Sequence, residues 1–299
     1  MGAMQRYNTR TMAKQPLQKV PMKEGGMLYL YEPPYATING EGQHIGNPCV
    51  FVRLQGCDVG CVWCDAMSTW AFKQGDKRKG IAFSYKELMN YLDNECPGTQ
   101  RIWFTGGEPT LYSKEILQFI RYYKKFGTRK RIWHMITAGS KYYEPLLYEL
   151  DWITIDIKPP TSKAFKGKGT PPEFVSWCME DKYISPKVEF KMAVAKDTDD
   201  INFALQSIKQ LSKKHSVTVQ PIYWSEAEVR REKQQQQSIQ RDMNFNERFA
   251  LPMYDEDTSK GWESYKEFAD LFLESADYPN VRVLCQLHKI YWPGEMDGI

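Results

Sequence analysis

The sequence predicts an α/β fold built on a mostly parallel sheet, and three observations predict it. Six short runs rich in β-branched and aromatic residues recur along the chain, amphipathic stretches of helical period separate them, and no linker or internal repeat divides the 299 residues. Strands alternating with helices need crossover connections, which put parallel strands in one sheet with helices packed outside it. Periodicity leaves an open sheet, a doubly wound sheet and a barrel all possible. In each of them a loop-borne site belongs at the C-terminal ends of the strands.

The strand runs are residues 49–54 (CVFVRL), 101–105 (RIWFT), 131–137 (RIWHMIT), 152–157 (WITIDI), 188–194 (VEFKMAV) and 216–222 (SVTVQPI). They are short, apolar and bounded by polar or turn residues, as buried strands are. Ser84 and Glu87 make a capping box that opens a helix over SYKELMNYLDNE. SKEILQFIRYYKKF ends at Gly127, a C-cap position. DDINFALQSIKQLSKK carries Ile201, Leu205, Ile208 and Leu211 at helical spacing, and GWESYKEFADLFLES closes the series. Residues 225–262 break the rhythm: SEAEVRREKQQQQSIQRD is polar all round and reads as an exposed insertion. Residues 1–26 read as a disordered basic tail, because Pro16 and Pro21 interrupt any helix. The remainder, 27–299, reads as one domain.

Charge excludes several functions. Five of the 40 basic residues lie in the first 23 positions, where there is no acid, leaving 35 against 37 acids in the body. A body of that sign is poorly suited to gripping phosphate backbones, so no nucleic-acid partner is expected. No apolar run of eighteen residues and no secretory core occur, so neither a membrane span nor export is expected. Seven cysteines, an odd number, fit a reducing cytoplasm better than a disulfide framework.

Three of those cysteines, Cys57, Cys61 and Cys64, follow C-x3-C-x2-C spacing directly after the first of the six strands. Cys49, Cys96, Cys178 and Cys285 sit in or beside apolar patterns and read as small buried hydrophobes. Clustered thiolates select zinc or iron–sulfur clusters, and a [4Fe–4S] cube normally takes four. Three leave one metal position open, where something other than protein binds and reacts. A zinc-binding module is the non-enzymatic alternative; it requires one zinc per chain and colourless protein.

The triplet, with the aromatic Trp63 before its third cysteine, resembles that of the radical S-adenosylmethionine (SAM) superfamily. FTGGEPTL (104–111), after the second strand, is similar to the superfamily's Gly-Gly-Glu motif. The resemblance implies a single-domain partial (β/α)6 barrel of the radical SAM type, with the cluster loop after the first strand. It implies a [4Fe–4S] cluster on Cys57, Cys61 and Cys64, with SAM at its open iron. Trp63, Gly106, Gly107, Glu108, Thr137 and Lys158 would contact SAM. The radical is carried by SAM, so no side chain is expected to be catalytic in its own right.

A narrower resemblance joins YATINGEGQHIGNPCVFVRLQGCDVGCVWCD (35–65) to VRVLCQLHKIYW (281–292). The spacing of NGEGQHIG and the Asn47-Pro48 that follows disfavour a dinucleotide cradle. Arg53 in an apolar strand needs a partner, either an internal acid or a bound carboxylate. These stretches resemble the 7-carboxy-7-deazaguanine synthase family, whose reaction turns 6-carboxy-5,6,7,8-tetrahydropterin into 7-carboxy-7-deazaguanine with loss of ammonia. The resemblance implies substrate contacts at Asn39, Glu41, Arg53, His288 and the terminal Ile299. It also implies a homodimer, an electron donor such as flavodoxin, and Mg2+ held by a hydroxyl after Asp65. Ala66 stands in that hydroxyl's place, so Ser68 or Thr69 is expected to supply it. The basic run Lys124, Lys125, Arg129, Lys130 and Arg131 is a candidate donor dock. Asp156-x-Lys158 also resembles the glycyl-radical activases, which act on a protein partner.

Overall fold

The computed structural model describes residues 23, 25–70, 80–222, 265–273 and 280–287. His288, Ile299, the 225–262 stretch and nearly all of the basic tail lie outside the described residues.

Among the described residues ten strands form one open sheet: β1 (Met27–Leu30), β2 (Tyr35–Ile38), β3 (Pro48–Leu54), β4 (Ile81–Ser84), β5 (Arg101–Gly106), β6 (Ile132–Thr137), β7 (Trp152–Asp156), β8 (Val188–Val194), β9 (Ser216–Pro221) and β10 (Val281–Val283). Their order is β10-β9-β8-β7-β6-β5-β3-β1-β4, with β2 paired to β3. The six strands expected from sequence are β3 and β5–β9, and they pair in parallel, with β10 added in parallel at the far edge. The near edge is antiparallel, where β1 pairs with β3 and β4, and β2 with β3.

The helices are α1 (Tyr85–Asn94), α2 (Ser113–Phe126), α3 (Glu144–Glu149), α4 (Ala164–Gly167), α5 (Pro172–Glu180), α6 (Thr198–Leu211) and α7 (Tyr265–Leu273). The α1 capping box is present in both directions: Ser84 accepts from the Glu87 N–H, and Glu87 accepts from the Ser84 N–H. Gly127 does end α2, but with an extended backbone; a Cβ there would meet the Tyr123 ring at 2.6 Å, which is why glycine is needed. In α6, Ala204, Ile208 and Leu211 are buried while Leu205 is exposed, so the buried stripe is rotated from the expected one.

Strand side chains divide by the period of two. Val50, Val52, Ile102, Phe104, Trp133, Met135, Ile153, Ile155, Phe190 and Met192 lie in the main apolar core with helix residues such as Leu88, Ile116, Phe119, Leu146 and Ile208. The alternate positions include Arg53, Thr105, His134, Thr154, Asp156, Glu189, Lys191 and Gln220. A sheet with one apolar and one polar, buried face must close its polar face around something.

Curvature does that. From β3 to β8 is four strand steps, about 19 Å in a flat sheet at ~4.8 Å per step. Yet the turn joining β2 to β3 reaches β8 directly: Lys191 Nζ lies 2.5 Å from Glu41 Oε2, and the Gln43 N–H donates to Glu189 at 2.6 Å. The same turn meets the segment after β10, where the Leu287 N–H donates to the Gly40 carbonyl at 3.0 Å. The parallel strands therefore curl into a partial barrel, with the 39–47 turn across its hollow. Gly42 (φ +67°) is required there, because a Cβ would strike the Glu189 carboxylate at 2.5 Å.

Among the described residues no helix is long and apolar enough to cross a membrane. Of the basic run at 124–131, Lys124, Lys125, Arg129 and Lys130 are exposed and Arg131 is not. Arg131 is buried and donates to the Leu92 and Cys96 carbonyls, and Lys124 pairs with Glu149 at 2.8 Å.

Candidate active site at the C-terminal ends of the strands

The cluster loop leaves β3 at Leu54 and is pinned at both ends. The Gly56 N–H and Gln55 Nε2 both donate to the Thr69 carbonyl, at 2.6 and 2.9 Å, and Tyr112 donates to the Gln55 carbonyl. In its middle, the Val62 N–H donates to the Ser162 carbonyl at 2.9 Å. A loop held this way keeps Cys57, Cys61 and Cys64 around one cavity of about 180 Å³.

All seven cysteines are free. Burial pushes the Cys57 thiol up to about 12 and Cys61 to about 11, and Cys64 is raised well above the usual thiol range by burial and by Asp65. Three such groups stay protonated unless a cation replaces the protons, which is what metal binding does. Among the described residues no three His, Cys, Asp or Glu side chains converge on a single-ion site. The triplet spreads around a space instead, and soft thiolates around a space fit an iron–sulfur cluster.

The Gly-Gly-Glu segment stands beside it. Gly106 (φ +109°) and Gly107 are needed for close packing: Cβ atoms there would meet Leu54 N at 2.3 Å and the Gly56 carbonyl oxygen at 1.9 Å. The glycines thus let the end of β5 close on the root of the cluster loop. Glu108 is buried, and its carboxylate gathers the Thr110 N–H (3.0 Å), the Thr110 and Thr137 hydroxyls, and the Ala138 N–H (2.9 Å). Burial pushes its pKa up, and those donors oppose the rise. Glu108 therefore ties the end of β6 to the loop after β5, and both carboxylate and Thr137 line the cavity.

The opposite wall is charged. Lys158 Nζ lies 2.7 Å from Asp156 Oδ2, and Lys191 Nζ bridges that same oxygen (3.4 Å) and Glu41 Oε2 (2.5 Å). Glu41 Oε1 accepts from Gln220 (2.7 Å) and Gln286 (3.1 Å). Burial opposes charge on both lysines, but the acidic neighbours together outweigh it, Asp156 with Cys61 and Cys64 at Lys158 and Asp156 with Glu41 at Lys191, and both pKa values are raised. Arg53, buried, pairs with Glu32 at 2.8 Å and stacks over Tyr31 while still lining the cavity. The internal-acid reading of Arg53 is thus realised, with the cavity open beside it. Asn39 is buried and donates to the Glu41 carbonyl at 2.6 Å. Trp63 donates to Thr161 at 3.1 Å under Lys158, lining a smaller lobe of about 90 Å³ that shares Glu41, Cys61 and Lys191 with the main cavity.

Of the expected residues, Asn39, Glu41, Arg53, Cys57, Cys61, Cys64, Gly106, Gly107, Glu108, Thr137 and Lys158 line the main cavity, and Trp63 the smaller lobe. Ser68 and Thr69 do not: Thr69 is fully buried and donates its hydroxyl to the Ala66 carbonyl at 2.7 Å. Asp65 and Ala66 are what face the cavity at that place, and one carboxylate beside a methyl group does not fit Mg2+, which wants an octahedron of oxygens. Lys191, Asp156 and Gln220 complete the charged wall. Their signal in the sequence was charge and amide at alternate positions of otherwise apolar strands.

Residues 38–166 match a family described as a 4Fe-4S single cluster domain. Over 192 residues, 64% of this chain and 82% of the relative, the sequence is 28% identical to a 7-carboxy-7-deazaguanine synthase of Thermoplasma acidophilum. A protein of the same name from Koribacter versatilis is 27% identical over 269 residues, 89% of this chain and 97% of that one. The crystal structure of QueE from Escherichia coli aligns over 72% of this chain and 91% of its own, at 22% identity and a TM-score of 0.49. The glycyl-radical activase alternative is not favoured by the two sequence relatives. The sequence relatives, with the cysteine triplet, the Gly-Gly-Glu turn and the Glu41–Arg53 wall on one cavity, mark this chain as similar to the 7-carboxy-7-deazaguanine synthases.

Proposed function

We propose that this chain converts 6-carboxy-5,6,7,8-tetrahydropterin to 7-carboxy-7-deazaguanine with loss of ammonia. The observation that carries the reading is the meeting, in one cavity, of three thiols able to hold a cluster and of cations and amides suited to an anionic heterocycle. Cys57, Cys61 and Cys64 would hold the [4Fe–4S] cluster, and Glu108, Thr137, Lys158 and Trp63 would flank SAM. When bound, cluster and SAM supply the one-electron radical chemistry; the protein supplies binding and position.

Arg53 fits the substrate carboxylate, because its guanidinium is always charged and binds carboxylates in a fork. Glu41, which accepts from Lys191, Gln220 and Gln286, presents a carboxylate at the cavity that suits the N–H edge of the pterin. Lys191 acts as a positioning residue: it holds Glu41 on one side and Asp156 on the other, so the substrate wall and the Lys158 wall form one unit. Asn39 fixes the turn that carries Glu41. His288 and Ile299 are expected to complete the pocket from the C-terminal segment. Seven free thiols suit a reducing cytoplasm, and the family resemblance supports a homodimer.

Anaerobic turnover of the iron-loaded protein with the pterin, SAM and dithionite tests the reading. The expected product is 7-carboxy-7-deazaguanine, identified by mass. SAM consumption with no deazapurine would reject this substrate.

A further inference from the structure

The proposed chemistry needs one electron delivered to the cluster, and the fold restricts where it can enter. The cluster loop leaves the C-terminal end of β3. Helix α2 runs back along the sheet, so the basic run that follows it, ending at Arg131 just before β6, lies at the opposite end of the strands. A carrier docked there would sit at the far end of the strands from the cluster loop.

The C-terminal end carries its own cations. Residues 157–172 include Lys158, Lys163, Lys166 and Lys168 and no acid. Lys163, Lys166 and Lys168 are exposed, and so is Lys141 on the neighbouring loop after β6. The acid facing them from the cluster loop is Asp58, 3.9 Å from Lys141. The segment rests directly on the cluster loop: the Phe165 N–H donates to the Val59 carbonyl at 2.7 Å, and Ala164 and Phe165 pack against Val59 and Cys61. Lys163, Phe165 and Lys166 hold left-handed backbone (φ +52°, +52° and +58°), which L residues rarely adopt. Bonds from the Gly167 N–H to the Lys163 carbonyl (2.9 Å) and from the Gly169 N–H to the Ala164 carbonyl (3.1 Å) close the turn. Its buried side covers the cluster loop and its outer side presents three ammonium groups.

We propose that this lysine turn, residues 163–168, is the docking surface for an acidic one-electron carrier protein of the flavodoxin type. In the transfer, the anionic flavin hydroquinone becomes the neutral semiquinone and the oxidised cluster gains the electron; no proton moves and no bond forms or breaks. The inference rests on the cluster assignment above and adds where and by what chemistry the donor is recognised.

The test uses the full, iron-loaded chain and a reduced flavodoxin. Flavodoxin binding is measured by calorimetry at low and high salt, beside turnover driven by flavodoxin or by dithionite. The triple variant K163E/K166E/K168E is expected to weaken binding about tenfold or more and to slow flavodoxin-driven turnover alike, since charges at a docking rim govern encounter and its salt dependence. Dithionite-driven turnover stays at the wild-type level, so a failure of docking is distinguishable from a failure of the function. The variant K124E/K130E, at the other end of the sheet, is expected to bind like wild type. Single K166E, with a smaller loss, serves if the triple variant does not fold. Unchanged, salt-independent flavodoxin binding in the lysine variants, or a loss confined to K124E/K130E, would overturn the proposal.

Discussion

The hollow of the curled sheet holds two buried polar tiers that behave in opposite ways. The upper tier, Glu41–Lys191–Asp156–Lys158, pairs two acids with two cations and faces the cavity. The lower tier packs His44 against Trp103, His134 and Trp152, with ring centroids 5.9, 5.0 and 4.8 Å apart, and His134 stacks on Trp103 at 4.4 Å. Near it, Glu189 takes Thr154 and the Gln43 N–H at 2.6 Å each. Burial lowers the His134 pKa to about 3 and raises that of Glu189, so both tend to neutrality. Asp156 and Lys191 of the upper tier, and Trp103, His134, Trp152 and Glu189 of the lower, come from alternate strand positions, while Glu41 and His44 come from the 39–47 turn. The difference teaches that the hollow carries a paired-charge wall where the cavity opens and a sealed floor where burial favours the neutral forms of His134 and Glu189.

Removing a cluster ligand should break the contrast most severely. Cys61→Ser is expected to abolish turnover and the iron–sulfur absorbance while leaving the far-ultraviolet circular dichroism unchanged, because the ligand sits on a loop and not in the sheet.

Lys191→Met comes next. It leaves Glu41 without its cation and Asp156 with Lys158 alone, and should cost about 3 kcal/mol of stability, read by denaturant unfolding, together with a raised KM for the pterin. Lys191→Arg should recover most of both. Glu189→Gln, in the floor, keeps an acceptor in place and should cost about 1 kcal/mol with KM unchanged. Equal losses in the two variants would erase the distinction between the tiers.

Acid should strike the floor. A histidine with a depressed folded pKa contributes stability that is present above its unfolded value near 6.5 and is lost as the pH falls toward the folded value. For His134 that window runs from about 6.5 down to about 3, with a slope of about 1.4 kcal/mol per pH unit. His134→Phe should lose this component of the unfolding pH profile. Glu189 carries the opposite sign: a raised folded pKa gives stability that is lost as the pH rises above 4.5, and Glu189→Gln should remove it.

The smallest effect is expected at Ala66. Ala66→Thr places a hydroxyl beside Asp65 at the cavity wall and should make turnover respond modestly to Mg2+, whereas the wild-type rate should not change when Mg2+ is chelated.

The core strands were legible because β3 and β5–β9 are continuous apolar runs bounded by turns. The edge strands were less so: β1, β2 and β4 have four residues each, too few for a period of two to separate strand from loop. The cysteine triplet and Gly-Gly-Glu turn were legible because their chemistry is local and contiguous. Lys191 and Gln220 were not, since each is a lone polar residue whose partner Glu41 lies 150 or more positions away and is met only through the curl. The hydroxyl sought near Asp65 was hard to read for a similar reason: nearness in sequence did not reveal that Thr69 turns inward to cap the loop.

The most direct measurement is electron paramagnetic resonance of the reduced, reconstituted protein before and after adding SAM, with iron counted per chain. Four irons per chain and a cluster signal that shifts on SAM addition are predicted, because three thiolates leave one iron able to take the amino and carboxylate groups. One zinc per chain, or a cluster signal indifferent to SAM, would contradict the account.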